Sequence, residues 1–189
     1  EINKLKIQHI FTSLPKKLTE KIPAIFGTHI IGRTEELTDL HTRLFKDRQI
    51  VLINGLGGIG KTSLAQLYAA TYRNEYTHIA WITQVSGNIV EDAINTGGLI
   101  ERLGIMSIGK DPDTFFQEIL SKLIHITTGP SLMIIDNADT SLAEWYDYLP
   151  GQPEWHILVT SRQQIARFDK KELGFLPLNE AVELFLLHY

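Results

Sequence analysis

Hydrophobic residues in this chain form short apolar runs separated by polar and amphipathic stretches. Four runs have the pattern of strands buried on both faces of a parallel sheet: QIVLIN (49–54), HIAWITQV (78–85), SLMIID (131–136) and HILVTS (156–161). A weaker run, LGFLPL (173–178), is a fifth strand candidate. Gly or Pro residues lie near several of these runs, as expected where strands end in loops.

Helical patterns separate the strand candidates. Segments with helical spacing or many helix formers are TEELTDLHTRLF (34–45), KTSLAQLYAATYRN (61–74), residues 89–103, DPDTFFQEILSKLIHI (111–126), SLAEWYDYL (141–149) and NEAVELFLLHY (179–189). Strands that alternate with helices predict an α/β fold with three layers, in which helices cover both faces of a mostly parallel five-stranded sheet.

Composition narrows the class of protein. The 189 residues include 18 basic and 22 acidic side chains, and no basic run indicates a nucleic-acid or membrane surface. There is no cysteine, which excludes disulfides and thiolate sites and favours a cytoplasmic location. Residues 1–27 are predicted to be a linker or N-terminal extension and residues 28–189 one domain, and we expect the chain to be part of a longer protein.

The stretch GLGGIGKTS (55–63) joins the first buried run to a predicted helix. Gly55, Gly60, Lys61 and Thr62 satisfy the pattern G-x-x-x-x-G-K-[ST]. Glycines here, including Gly57 and Gly58, let backbone N–H groups approach a phosphate chain. The N-terminus of the helix that follows also favours the negative charge of phosphate. Lys61 is predicted to bind the terminal phosphates. The alternative is a glycine-rich turn with a solvated lysine.

A second predicted site follows the SLMIID run. Asp136 ends a strand at the edge of the sheet where ligands bind, and with the Thr62 hydroxyl it is predicted to hold Mg²⁺. Many ATPases of this architecture have an acid at the next position to activate water, whereas this chain has Asn137, which predicts slow hydrolysis. Asp139 could replace that base, although an aspartate in a loop is more often a turn residue.

A third predicted site is Arg162, directly after the HILVTS run. Its guanidinium is placed to detect a γ-phosphate, which ADP lacks. The alternative is an ordinary surface arginine. Together the three sites predict ATP or ADP as the ligand, with Lys61, Asp136, Asn137 and Arg162 serving catalysis.

With these motifs in place, the chain resembles the signal-transducing ATPases with numerous domains, and among them the NB-ARC type of P-loop NTPase. The resemblance is carried by HIIGRTEEL, GLGGIGKTSLA, LMIIDNAD, ILVTSR and FLPLNEAVELF, which occur in the family's order. It implies a P-loop NTPase domain of the additional-strand (ASCE) type, truncated before the helical and winged-helix domains that follow in the family.

The resemblance also implies further nucleotide contacts. Ile30, Ile31 and Arg33 would lie over an adenine, and Ile59 and Ser63 would join the phosphate loop. From composition alone, Arg33 would be a surface charge beside a helix. The absence of an N-K-x-D segment from the sequence also favours adenine over guanine nucleotides.

The sequence is compatible with three functions. The first is a signal-transduction switch in which exchange of ADP for ATP controls self-association and an attached effector, with effector and sensor domains outside this fragment. The second is a turnover enzyme, either a motor-like ATPase or a small-molecule kinase. The third is a scaffold that binds nucleotide without hydrolysing it.

Overall fold

Four of the apolar runs and one polar segment form a five-stranded parallel sheet. The structure is a computed structural model, and it describes residues 16–20, 22, 32–47, 50–106, 109–151 and 153–188. The strands are β1 (Val51–Asn54), β2 (Ile79–Thr83), β3 (Ser131–Ala138), β4 (Trp155–Ser161) and β5 (Asp169–Glu172). Their order is β2-β3-β4-β1-β5, and each neighbouring pair is parallel. Strand β4 thus lies between β1 and β3, which confirms the additional-strand arrangement.

Helices cover both faces of this sheet. The α-helices are α1 (Thr34–Phe45), α2 (Lys61–Thr71), α3 (Ile89–Ile94), α4 (Leu99–Leu103), α5 (Pro112–Ile124) and α6 (Leu178–His188), and the 3₁₀ segments are Arg73–Glu75 and Thr140–Tyr148. None of the helices in the described part of the chain is long and apolar enough to cross a lipid bilayer.

Two hydrophobic cores lie on opposite faces of the sheet. Side chains of β1 alternate between them: Val51 and Ile53 pack with α1 and α2, whereas Leu52 packs in the core with α3, α4 and α5. The same alternation in β2, β3 and β4 explains their apolar sequences, because both faces of each strand are covered. The predicted three-layer fold is confirmed.

The fifth strand is the main error in the predicted elements. It was expected at residues 173–178, but β5 spans Asp169–Glu172 and pairs with β1. Its sequence, DKKE, is polar because β5 is an edge strand whose side chains are mostly only partly buried. Arg43 of α1 donates to Asp169 at 2.6 Å, so charged pairs replace an apolar pattern there.

Two predicted helices also differ from the structure. Residues 89–103 form two short helices, α3 and α4, separated by a turn that contains Gly98 in a left-handed conformation. The segment SLAEWYDYL forms a 3₁₀ helix rather than an α-helix. It begins after Asp139, whose carboxylate accepts a hydrogen bond from the Ser141 backbone N–H at 2.9 Å.

Residues 16–20, which lie in the predicted linker or N-terminal extension, form hydrogen bonds with the edge strand β2. Lys17 forms an isolated parallel bridge with Ile79, and the Leu18 N–H donates to the Ile79 carbonyl at 2.8 Å. Leu18 is fully buried in the core with α3, α4 and α5, and the Thr19 hydroxyl accepts a hydrogen bond from the Trp81 N–H. This segment covers the otherwise open edge of β2.

The Leu18 contact predicts a stability effect. Changing Leu18 to alanine should lower the free energy of unfolding by about 2–4 kcal/mol, because it removes fully buried methyl groups and leaves a cavity. Urea denaturation of the whole chain measures the change. The matched control is Leu178→Ala, since Leu178 is 81% exposed and its loss should have little effect. Equal stability of the two variants would show that residues 16–20 do not pack as described.

Candidate nucleotide-binding site

The glycine loop lies between β1 and α2, at the carboxyl edge of the sheet. Gly58 and Gly60 have left-handed backbone conformations, with φ of +78° and +100°, which glycine adopts without strain. A Cβ at either position would meet no atom within 4 Å. The space that side chains would occupy is therefore open, and the loop fits the predicted role of surrounding a phosphate chain with backbone N–H groups.

Lys61 is the first residue of α2 and folds back over this loop. Its Nζ donates to the Gly55 carbonyl at 2.9 Å and to the Leu56 carbonyl at 2.7 Å, and the residue is 8% exposed. Burial, and then the charge of Arg162, lower the pKa of the Lys61 ammonium, while the charge of Asp136 acts in the opposite direction. An anion bound in the loop would stabilise this ammonium, because it adds the negative charge that the position lacks.

Thr62 and Asp136, the two predicted Mg²⁺ ligands, meet at the carboxyl edge of the sheet. The Thr62 hydroxyl donates to Asp136 Oδ1 at 2.8 Å, although the two residues are 74 positions apart. Asp136 is 5% exposed, and the same oxygen accepts a hydrogen bond from the Thr160 hydroxyl at 2.6 Å. A hydroxyl and a carboxylate are oxygen ligands of the kind that Mg²⁺ prefers, so this pair fits the predicted metal.

Asn137 departs from regular strand geometry. Its φ of +60° is left-handed, and the β3–β4 register shifts between Ile135 and Ala138. The exposed Asn137 side chain donates through Nδ2 to the Gln84 carbonyl at 2.9 Å, and its N–H donates to the Thr160 hydroxyl at 2.9 Å. Asparagine tolerates this conformation better than most residues.

Asp139 has a structural partner that argues against its use as a base. Besides accepting from the Ser141 N–H, its carboxylate accepts from the Ser141 hydroxyl, so it caps the following 3₁₀ helix. Burial acts to raise the pKa of Asp139, but these bonds and the Gln84 side chain lower it overall, and a carboxylate with a lowered pKa is a weaker base.

Arg162 lies beside the glycine loop. A Cβ built on Gly57 would be 3.6 Å from Arg162 Cζ, and the arginine side chain is exposed. Asn54, the last residue of β1, donates to the Gln163 carbonyl at 2.7 Å and so ties the segment that carries Arg162 to the strand before the loop. The structure thus brings Arg162, Lys61, Thr62 and Asp136 to one edge of the sheet.

A cavity of about 280 Å³ adjoins this group. It is bordered by Gln84, Asn137, Asp139, Arg162 and Gln163, so polar residues at the ends of β2, β3 and β4 surround a common space next to the phosphate loop. Open parallel sheets bind ligands at this edge. We refer to this space as the edge cavity.

Arg33 is buried instead of forming the surface charge that composition suggests. It is 7% exposed, its Nη1 donates to Glu36 at 2.6 Å, and its Nη2 donates to the Gly174 carbonyl at 2.8 Å and to the Ile59 carbonyl at 3.4 Å. These bonds join the start of α1 to the phosphate loop and to the chain after β5. Contact with adenine stays a prediction for Arg33. Ile30 and Ile31 lie outside the described residues.

The comparison with protein families agrees with this geometry. The NB-ARC domain family matches residues 33–185, which include the glycine loop, Asp136 and Arg162. The chain belongs to the NB-ARC family. Membership confirms the fold and the nucleotide-binding class of this domain, and the roles of individual residues rest on the geometry described above.

Relatives of this NB-ARC domain occur in several kinds of protein. An uncharacterised protein of Mycobacterium tuberculosis is 26% identical over 166 residues, which are 84% of this chain and 40% of that protein. A nucleotide-binding leucine-rich repeat-like protein of Hyaloscypha variabilis is 27% identical over 190 residues, covering 86% of this chain and 18% of its own length. The structure of Caenorhabditis elegans PCH-2 aligns with a TM-score of 0.40 and 16% identity over 80% of this chain and 44% of that one.

Two residues of the NB-ARC site were not singled out from the sequence. Thr160 bonds both Asp136 and Asn137, and Gln84 accepts from Asn137 and borders the edge cavity. Thr160 directly follows the apolar residue Val159 in β4, and Gln84 directly follows the last residue of β2, both at the carboxyl edge of the sheet. That position was a usable signal, because side chains at the ends of neighbouring parallel strands converge.

Proposed function

We propose that this NB-ARC domain is a signal-transduction switch that binds ATP and ADP and hydrolyses ATP slowly with Mg²⁺. The observation that carries the proposal is the convergence of Lys61, the Thr62–Asp136 pair and Arg162 at one edge of the sheet. Each of the three recognises a different part of a magnesium nucleotide. The Hyaloscypha relative, described as nucleotide-binding, supports the same ligand class.

Mg²⁺ would be held here by few protein ligands. Among the described residues there is no group of three or more His, Cys, Asp and Glu side chains that could hold a metal ion. Thr62 and Asp136 are the residues that would hold it, with phosphate oxygens completing the shell, as is usual for Mg²⁺ in nucleotide sites. When bound, the ion would neutralise phosphate charge.

The protein's own contribution is to distinguish ATP from ADP. Lys61 and Arg162 are two cations at the end of the loop, and their mutual repulsion contributes to the lowered pKa of Lys61. A γ-phosphate placed near both would relieve that repulsion, whereas ADP would relieve less of it. Such a difference in binding free energy between two ligands is what a two-state switch requires.

The switch would act on parts of the protein beyond this domain. The chain spans about 40% of the length of the mycobacterial relatives and less of the fungal one. We propose that ADP–ATP exchange controls self-association of the full-length protein in the cytoplasm and the activity of an attached effector. In such a protein the bonds of residues 16–20 to β2 would couple the predicted linker to the sheet that carries the site.

The rate of ATP hydrolysis distinguishes a slow switch from a motor-like ATPase. Because Asn137 cannot accept a proton from water and Asp139 serves as a cap, hydrolysis should be slower than about one per second, the low end for enzymes. Phosphate release by the purified chain with saturating ATP and Mg²⁺ measures the rate. Rapid turnover without a partner would favour the motor instead.

Changing Asn137 to aspartate should raise ATP hydrolysis by about tenfold or more, because it places a proton acceptor at the edge cavity. Aspartate tolerates the left-handed backbone there, and position 137 is exposed, so the fold should persist although the hydrogen bond to the Gln84 carbonyl is lost. Single-turnover phosphate release measures the effect. The control is Asn74→Asp, which adds the same charge before β2, at the opposite edge of the sheet. If Asn137→Asp hydrolyses no faster than the control, the missing base does not limit the rate.

A further inference from the structure

Gln84 connects the end of β2 to the segment that follows Asp136. The residue is 1% exposed, and its backbone N–H donates to the Asp136 carbonyl at 2.8 Å. Its own carbonyl accepts from Asn137 Nδ2, and its side-chain Oε1 accepts from the Asp139 N–H at 3.0 Å. Gln84 therefore forms hydrogen bonds with three of the four consecutive residues 136–139, namely Asp136, Asn137 and Asp139.

The other end of the same amide has no such partner. Gln84 Nε2 is buried and is in hydrogen-bonding geometry with no acceptor among the described residues, although the Gln84 side chain helps to lower the pKa of the Asp139 carboxyl. Rotating the amide would not help, because the Asp139 N–H must face an oxygen. A buried donor without an acceptor is unfavourable, and such groups are rare in folded proteins unless a ligand or function explains them.

The location of this donor indicates the kind of ligand. Gln84 borders the edge cavity together with Arg162, which lies beside the phosphate loop. The cavity also adjoins Asn137, next to the proposed Mg²⁺ ligand Asp136. An oxygen atom at the γ-phosphate end of a nucleotide would be an acceptor in reach of this part of the site, whereas ADP extends less far.

We propose that Gln84 donates through Nε2 to an acceptor oxygen at the γ-phosphate end of bound ATP, making it a residue that distinguishes ATP from ADP. The acceptor is either an oxygen of the γ-phosphate or the water that attacks it. The inference rests on the proposed nucleotide function. It adds a neutral donor from β2 to the charged contacts of Lys61 and Arg162.

Two substitutions at Gln84 test the donor. Gln84→Met removes it without adding charge, and Gln84→Glu removes the amide nitrogen but keeps an oxygen for the Asp139 N–H. Gln163→Met and Gln163→Glu are the matched controls, because Gln163 borders the same cavity with an exposed side chain. Calorimetry with Mg²⁺ measures the affinities for ADP and for the β,γ-imido analogue of ATP, and single-turnover phosphate release measures hydrolysis.

We expect ADP affinity to stay within about twofold of the unmodified chain in all four variants. If the acceptor is a γ-phosphate oxygen, the Gln84 variants lose about tenfold in affinity for the ATP analogue relative to their Gln163 controls. If it is the attacking water, that affinity persists and the single-turnover rate falls about tenfold instead.

The inference is overturned if the Gln84 variants match their Gln163 controls in both measurements. It is also overturned if ADP and the ATP analogue lose affinity equally, since that indicates a general disturbance of the loop. Failure of the unmodified chain to bind either nucleotide would instead reject the proposed function, so the two failures are distinguishable.

Discussion

Replacement of Lys61 by alanine is expected to weaken ADP binding by about a hundredfold or more, the loss typical of two hydrogen bonds from a cation to phosphate. The buried ammonium is held at the mouth of the glycine loop by two carbonyls. Isothermal titration calorimetry with ADP and Mg²⁺ measures the loss.

The control for this change is Lys46→Ala, which removes an exposed lysine after α1. It should bind ADP like the unmodified chain. The Lys61 variant should still fold, because the two carbonyls that lose this donor belong to Gly55, which is partly exposed, and Leu56, which is exposed. Unchanged ADP binding by a folded Lys61→Ala variant would reject the phosphate assignment for this loop.

Replacement of Asp136 by asparagine should abolish the contribution of Mg²⁺ to ATP binding and lower hydrolysis by about a hundredfold. Asparagine keeps an oxygen that can accept from the Thr62 and Thr160 hydroxyls, so the contacts across β3 and β4 can persist while the charge is lost. Calorimetry with the β,γ-imido analogue, with Mg²⁺ and with a chelator, separates the metal effect from nucleotide binding.

Asp147→Asn is the matched control for the metal test. Asp147 is an exposed carboxylate whose pKa is lowered by its hydrogen bond to Arg167, and it lies in the 3₁₀ segment that follows β3. The ratio of affinities with and without Mg²⁺ should fall to about one for Asp136→Asn and stay unchanged for the control. A Mg²⁺ effect that survives in Asp136→Asn would place the metal ligand elsewhere.

Most of the fold was predictable because four strands are buried on both faces. Leu52 and Ile53 face different cores, so β1 reads as a continuous apolar run. The segments at the two edges of the sheet were less predictable, because they bury fewer side chains. β5 is stabilised on one side by ion pairs such as Arg43–Asp169, and residues 16–20 bury little more than Leu18 and Thr19. Neither a short charged strand nor a segment with two buried residues is easily recognised in a sequence.

The site was predictable where chemistry requires a local motif. The glycine loop with Lys61 and Thr62 is contiguous, so its spacing is visible in one line of sequence. Contacts between distant segments were not visible. The burial of Arg33 depends on the Gly174 carbonyl, 141 positions away, and the role of Gln84 depends on the Asp139 N–H, 55 positions away. Such pairs require the sheet order, which the motifs alone do not specify.

The most direct test of phosphate recognition is calorimetry of the unmodified chain with ADP and with adenosine, both in the presence of Mg²⁺. If the glycine loop, Lys61 and the Thr62–Asp136 pair bind phosphate, ADP should bind with one-to-one stoichiometry and adenosine about a hundredfold more weakly or not measurably. Equal affinities for the two ligands, or no binding of ADP, would contradict a switch built on phosphate recognition.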